Sequence, residues 1–163
     1  GNVYKRQILI SSFVSQALAL LIYNLGLWGV SYGMAALQPD FDAASFALAC
    51  LSLYFSYFMV EVMYLAIGYL LSVFLSHSSQ ASAAAFAVLL ASLLLGIVGG
   101  AIPALGWMLF LSPYHYINTG LVLESAMLGA PAGVFPYALI CLIFSLILGA
   151  LACVRYYFKD FNV

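Results

Sequence analysis

The feature that most limits the fold of this chain is an apolar run from Ala43 to Leu75 with no proline and one acidic residue, Glu61. A helix over this run, at 1.5 Å per residue, would be about 50 Å long, whereas the hydrocarbon core of a bilayer is about 30 Å thick. Asp42, directly before the run, is a favourable N-cap for such a helix. The run therefore predicts a membrane-spanning helix that projects beyond the bilayer.

Three more apolar runs are long enough to cross a bilayer, over residues 8–37, 80–100 and 134–157. Only 6% of the residues are charged and 67% are hydrophobic, whereas soluble domains carry about 25% charged residues. We therefore predict an all-α membrane protein, a bundle of four transmembrane helices (8–37, 43–75, 80–100 and 134–157) formed by a transmembrane domain over residues 8–163. No basic patch that would suit nucleic acid is present.

Residues 101–131 are interrupted too often by helix breakers for a straight span, among them Pro103, Gly106, Pro113 and Pro131. The segment still contains apolar stretches, over residues 107–111 and 117–128. It predicts a pair of short helices on the external side before the last span, either lying at the interface or re-entering the bilayer.

The first seven residues, GNVYKRQ, precede the first apolar run. The letters VYKRQ at residues 3–7 resemble translated sequencing adapter at the ends of metagenomic fragments. We therefore expect residues 1–7 to be non-native or a truncated N-terminus, and the natural protein to be longer on this side.

Orientation is predicted from the basic residues that follow the last span. Arg155 and Lys159, within a run of aromatic residues, form an interfacial anchor, and the bias of Lys and Arg toward cytoplasmic loops assigns the C-terminus to the cytoplasm. Asp40 and Asp42 are then external.

The second run carries a polar stripe at spacings of three and four residues, which places its members on one helix face. Its members are Tyr54, Tyr57, Glu61, Tyr64 and Gly68. An ionisable residue deep in a span is costly and often functional. Two interpretations remain open for Glu61: a substrate or gating role, or a structural one as a carboxyl group hydrogen-bonded to Tyr57, Tyr64 or a neighbouring helix.

Pairs of glycines four residues apart are typical of closely packed membrane helices. Such pairs are Gly29 with Gly33 in the first run and Gly96 with Gly100 in the third. The first run also holds Ser12, Gln16 and Asn24, which are suited to hydrogen bonds between helices.

No pattern of an enzyme is found. The chain has no Gly-x-x-x-x-Gly-Lys-Ser/Thr phosphate loop and no Gly-x-Ser-x-Gly elbow. His115 stands without other metal-ligand residues at a suitable spacing, so no metal site is predicted, and the three cysteines lie within apolar runs.

The letters FLSPYHY at residues 110–116 resemble a stretch of the permease subunits of type-two ABC exporters, which follows the fifth span and forms short external re-entrant helices. The residues concerned are Ser112, Pro113, Tyr114, His115 and Tyr116, with Tyr114 where Phe is usual. LAIGYLLSVFLSHSSQASA at residues 65–83 resembles the family's fourth-span ending, and YFKD at residues 157–160 its C-terminal end.

The resemblance covers residue 8 to the end, as the third to sixth spans, so the family's first two spans and its coupling helix would precede residue 8. It implies a permease in the prokaryotic cytoplasmic membrane that moves substrate by alternating access. The implied partners are a separate ABC ATP-binding subunit, a second permease copy or paralogue, and membrane lipid. ATP would be bound by the partner and no cofactor by this chain, and the stripe would line either the substrate path or the dimer interface.

Two other classes of function remain open. An ion-coupled secondary transporter would need ionisable residues in more than one span, and a non-transporting membrane scaffold or assembly protein would need only a partner helix for the stripe. The substrate does not follow from the sequence, because one fold serves many functions.

Overall fold

The computed structural model describes residues 2–39, 42–116, 124 and 135–158. Its long elements are helices α1 (Asn2–Ala36), α2 (Ala43–Phe74), α3 (Ser78–Ala101) and α4 (Phe135–Phe158). Between α3 and α4 lie two 3₁₀ helices, Pro103–Leu111 and Pro113–Tyr116, which together with Ser112 we call the re-entrant segment (residues 103–116).

Each of the four long helices contains a span apolar and long enough to cross a membrane: Val3–Ala36, Ala43–Phe74, Ser79–Ala101 and Leu139–Phe158. The chain is therefore a multi-pass membrane protein, and the predicted class of an all-α bundle of four transmembrane helices is confirmed. Most predicted boundaries agree with the helices to within about two residues. The exception is α1, which begins at Asn2 rather than Ile8, because Lys, Arg and Gln in residues 5–7 are good helix formers.

Helix α2 is the centre of the bundle, since it packs against α1, α3, α4 and the second 3₁₀ helix. The pairs Ser12–Tyr69 and Ser31–Tyr54 show that α1 and α2 run antiparallel. Near its end α2 meets the end of α4, where the Arg155 guanidinium lies 5.4 Å from the Phe74 ring centroid. Of the four spans α2 has the largest buried share, although Leu51 and Phe55 on it are exposed.

Helix α2 begins at Asp42 for a local reason. The Asp42 carboxylate accepts hydrogen bonds from the backbone N–H groups of Ala44 (3.2 Å) and Ser45 (3.4 Å) and from the Ser45 hydroxyl (2.7 Å). These donors lower the pKa of Asp42, the Ser45 hydroxyl most. The predicted N-cap is therefore confirmed.

The re-entrant segment folds back along α3. Its first 3₁₀ helix lies against Gly99, and Ser112 lies against Gly96 and Ser92. Ser92 is nine residues before the end of α3 at Ala101, which is about 14 Å along a helix. The described part of residues 101–131 thus returns along α3, and whether it lies at the interface or re-enters the bilayer stays a prediction. Of residues 117–131 the structure describes only Glu124, which is exposed.

Candidate site in the centre of the helix bundle

The polar stripe of α2 divides between two neighbouring helices. Tyr54 and Glu61, seven residues apart, contact α1, whereas Tyr64 contacts α3. Seven residues are close to two helical turns, so Tyr54 and Glu61 point the same way, and Tyr64 lies about 60° further around the helix than Glu61. Three of the five members of the stripe therefore contact neighbouring helices of this chain.

Glu61 is held by an asparagine of α1. Asn24 Nδ2 donates a hydrogen bond to Glu61 Oε2 at 2.6 Å and a second one to the Leu20 carbonyl at 2.9 Å. Asn24 is only 4% exposed, whereas Glu61 is half-buried. The sequence predicts hydrogen bonds from Glu61 to Tyr57, to Tyr64 or to a neighbouring helix. The structure shows the last of these, through Asn24, and Glu61 forms no hydrogen bond with Tyr57 or Tyr64. Whether Glu61 is also functional stays open.

Two further pairs join α1 to α2 and, with Asn24–Glu61, form what we call the polar seam. Ser31 and Tyr54 share a hydrogen bond of 2.7 Å, and Ser12 and Tyr69 one of 2.6 Å. Asn24 and Ser31 are seven residues apart in α1, as are Tyr54 and Glu61 in α2, so two of the pairs repeat with the same spacing on both helices. The matching spacing is visible in the sequence, but it does not say which faces of α1 and α2 meet.

A second polar group joins α2, α3 and the re-entrant segment. The Tyr64 hydroxyl and the Ser92 hydroxyl share a hydrogen bond of 2.5 Å, and the Ser112 hydroxyl donates to the Ser92 carbonyl at 2.7 Å. The Tyr114 ring lies 5.7 Å from the Tyr64 ring, centroid to centroid. We call these four residues the polar latch; Ser92 was not predicted, because a single serine in an Ala- and Leu-rich helix has no distinctive pattern.

The remaining members of the predicted motifs are placed as follows. Tyr57 packs its ring 6.3 Å from that of Tyr54, and a Cβ at Gly68 would meet nothing within 4 Å. Pro113 is buried, and His115 lies edge-on to Phe110 at 5.4 Å. The side chain of Tyr116 lies outside the part of the chain that the structure describes.

The glycines predicted at helix contacts differ among themselves. A Cβ at Gly29, Gly33 or Gly100 would meet nothing within 4 Å, so none of these makes a close contact within the described chain. At Gly96 a Cβ would lie 3.1 Å from Ser112 Oγ. The closest approach is at Gly99, which the four-residue spacing misses: a Cβ there would lie 3.0 Å from Leu109 Cγ and 3.1 Å from Leu109 N.

Two cavities open beside α1. The smaller, of about 50 Å³, lies between α1 and α2 and is lined by Leu21, Asn24, Leu25, Trp28, Leu51, Tyr54, Phe55 and Phe58. The larger, of about 190 Å³, lies where α1, α2 and α4 meet, and its walls, including Phe13 and Leu146, are almost wholly apolar. Asn24 and Tyr54 of the polar seam line the smaller cavity, and Tyr69 lines the larger one.

The basic residues stand at one end of the bundle. Arg6 lies 4.8 Å from the Tyr157 ring centroid, and Arg155 lies over Phe74 on the same side. The predicted partner of Arg155 in the anchor, Lys159, falls outside the described residues. Arg155 lies in the last turn of α4, beside the end of α2 at Phe74, whereas Glu61 lies near the middle of α2.

The centre of the bundle offers groups that can form hydrogen bonds to a bound molecule. Within residues 2–39, 42–116, 124 and 135–158, no three His, Cys, Asp or Glu side chains are grouped closely enough to hold a metal ion. What the centre offers is one carboxyl group, amide and hydroxyl hydrogen bonds, and aromatic walls, all inside a bundle that lipid surrounds.

Comparison with known proteins identifies no relative, since no family model, no curated protein and no solved structure matches this chain.

Proposed function

We propose that this chain is the membrane-spanning permease subunit of an ATP-driven exporter of the type-two ABC kind, with a C-terminus in the prokaryotic cytoplasm. The observation that carries the proposal is the re-entrant segment. It stands between the last two spans, contains the Ser112–Tyr116 stretch that resembles the family, and returns along α3 as far as Ser92. Arg155, in the last turn of α4, supports the orientation.

The arrangement suits alternating access powered by a separate ATP-binding subunit. Helix α2 contacts every other long helix, so a force applied to it reaches α1 and the re-entrant segment together. The polar seam and the polar latch lie on its two sides, and a change in one set of hydrogen bonds can accompany a change in the other. A substrate shifts such an equilibrium only if it binds the two states with different affinity.

The proposal is tested by isolating this protein from its native membranes in a mild detergent and measuring ATP hydrolysis in the eluate. The expected result is a stoichiometric partner with nucleotide-binding motifs whose ATPase activity falls when the permease carries Ser112→Ala. The matched control is Ser11→Ala, since the Ser11 hydroxyl is exposed and bonds only the Ile8 carbonyl of its own helix. A permease that purifies without an ATP-binding partner subunit overturns the proposal.

A second candidate function, ion-coupled transport, is favoured by one observation: the Asn24–Glu61 pair places a carboxyl group in the middle of α2. The two candidates differ in their energy source. Uptake or efflux by proteoliposomes that responds to an imposed proton gradient in the absence of ATP supports ion coupling, and its loss in Glu61→Gln but not in Glu124→Gln assigns it to this carboxyl group.

A further inference from the structure

We propose that the larger cavity, where α1, α2 and α4 meet, binds one acyl chain of an anionic phospholipid, and that Arg155 binds the phosphate of the same lipid. We call this cavity the lipid groove. Such a site requires neither an ATPase subunit nor a transported substrate, so it is independent of the exporter function proposed above.

The lipid groove opens toward the bilayer between α1 and α4. Both helices contain spans long and apolar enough to cross a membrane, and each packs more extensively against α2 than against the other. Two of the lining residues, Ile10 on α1 and Leu146 on α4, are 52% and 64% exposed, so they stand at the opening. Because the hydrocarbon of a bilayer surrounds membrane-spanning helices, lipid chains lie directly against this opening.

The groove exists because α4 has small side chains where it borders the cavity. Gly149, Ala150 and Ala152 line it, and a Cβ added at Gly149 would meet nothing within 4 Å. The volume of the groove is about 190 Å³, and an apolar cavity of about 150 Å³ is large enough to hold benzene. The walls of an empty cavity lack the dispersion contacts of packed side chains, so an apolar chain that fills the groove stabilises the bundle.

The walls favour an apolar occupant. Two of the described lining residues carry hydroxyl groups, Tyr69 and Ser145, and both hydroxyls are engaged within the protein. The Tyr69 hydroxyl shares a hydrogen bond of 2.6 Å with Ser12, and the Ser145 hydroxyl donates to the Cys141 carbonyl at 2.7 Å. A buried water needs about two to four polar partners, which these walls do not offer, whereas a hydrocarbon chain needs none.

A basic side chain lies just beyond the groove on α4. Arg155 follows Ala152 by three residues, which is about 4.5 Å along the helix and nearly a full turn around it, so the two residues share a face. The Arg155 side chain is exposed, and its guanidinium lies 5.4 Å from the centroid of the Phe74 ring. Stacking on a ring uses the face of the guanidinium and leaves the N–H groups at its edge for phosphate oxygens. Basic pockets between membrane helices are typical sites for anionic lipid head groups.

Size and charge together select this occupant among those that a membrane supplies. A helix is about 10 Å across and is too wide for a groove of about 190 Å³, so neither a helix of a second copy nor one of another protein can fill it. A phospholipid without net charge could insert a chain but would gain less from Arg155 than an anionic phospholipid does.

The test compares the lipids that the purified full chain retains in mixed micelles with equal amounts of phosphatidylglycerol and phosphatidylcholine, measured by native mass spectrometry. Lys5 and Arg6, within the residues expected to be non-native, also lie near this end of the bundle, Arg6 over Tyr157. Both are changed to glutamine, so that Arg155 is tested alone. We expect phosphatidylglycerol to be retained about fivefold over phosphatidylcholine, the effect of one basic residue on an anionic lipid. Equal retention of the two lipids overturns the proposal.

Three variants in this background separate the head group from the acyl chain. Arg155→Gln should abolish the preference for phosphatidylglycerol. Gly149→Leu should lower the retention of both lipids, because the leucine side chain fills the groove, whereas Gly29→Leu should not change it. Gly29 is the matched control, since it is likewise in a helix and likewise has nothing within 4 Å of an added Cβ. Equal retention by Gly149→Leu and Gly29→Leu overturns the proposal.

Cys153 locates the bound lipid independently of these variants, because it lines the groove and is partly exposed, whereas Cys50 and Cys141 are buried. Phosphatidylglycerol should slow the alkylation of Cys153 by N-ethylmaleimide more than an equal amount of phosphatidylcholine does. Equal alkylation rates in the two lipids overturn the proposal even if Gly149→Leu does not fold. The measurements contain no ATP or ATPase, so their failure is distinct from failure of the exporter proposal.

Discussion

Helix α1 meets α2 through long polar side chains, whereas α3 meets the re-entrant segment through glycines. In the first contact Ser31, Asn24 and Ser12 reach across to Tyr54, Glu61 and Tyr69, and the glycines of α1 lie elsewhere. In the second, Gly96 and Gly99 let the backbone of the re-entrant segment come close enough for Ser112 to reach the Ser92 carbonyl.

The α1–α2 contact and the contact of α3 with the re-entrant segment show two ways in which membrane helices pack without water. Lipid is as apolar as the side chains it touches, so helices associate through close packing and hydrogen bonds rather than through burial from water. Long side chains can bridge helices that stay apart and can exchange partners when the helices move. A backbone held against glycine has no such freedom, so we expect the glycine contact to be rigid and the polar seam to be adaptable.

The largest expected effect is at the glycine contact. Gly99→Ala should lower the free energy of unfolding by about 1–3 kcal/mol, because the added Cβ overlaps Leu109 and overpacking costs that amount. Gly100→Ala meets nothing and should raise stability by about 0.5–1 kcal/mol, since alanine is the better helix former. Thermal unfolding in detergent compares the two, and shifts of the same sign would contradict the assignment of rigidity to Gly99.

The next effect is at the centre of the polar seam. A double-mutant cycle with Asn24→Ala and Glu61→Ala should give a coupling energy of about 1.5 kcal/mol, near the upper end for hydrogen bonds between membrane helices, because one partner carries a carboxyl group. The measurement is the unfolding free energy of the four proteins in one detergent. Additive effects would mean that the 2.6 Å hydrogen bond does not join the two helices.

A smaller effect is expected at the end of the seam. Tyr54→Phe removes the hydroxyl that bonds Ser31 and should cost about 0.6 kcal/mol, the average for such bonds in membrane proteins. The same change at Tyr23, whose side chain is 59% exposed on α1, is the control and should have no measurable effect. If Tyr54→Phe instead costs more than the Asn24–Glu61 coupling, the seam is not centred on Glu61.

The sequence predicted a large part of this architecture because bilayer thickness and the absence of water act locally. The four spans, the inward-facing stripe on α2, the Asp42 cap and the re-entering segment follow from run length, spacing and helix breakers. The face of Tyr54, Glu61 and Tyr64 could be predicted from helical periodicity alone.

The partners of that face could not be predicted, because they depend on how the helices are placed around α2. Periodicity gives Asn24 a position on α1 but not its distance from Glu61. The four-residue glycine pattern indicates Gly96 and Gly100, whereas the contact is made by Gly96 and Gly99, since the re-entrant segment approaches α3 from a direction that the sequence of α3 does not encode.

The smallest expected effect concerns Asp42, at the junction of α1 and α2, where a polar residue acts only on its own helix. Its folded-state pKa lies below the usual 3.8, so the stability it contributes is present above that value and is lost as the pH falls through the lowered folded-state pKa. Asp42→Asn keeps a capping side chain without the charge. The variant should therefore match the parent protein near pH 7 and lose less thermal stability between about pH 5 and pH 3. A pH dependence identical to that of the parent would show that Asp42 makes no such contribution, whereas a large loss at pH 7 would mean that this charge also stabilises the α1–α2 contact.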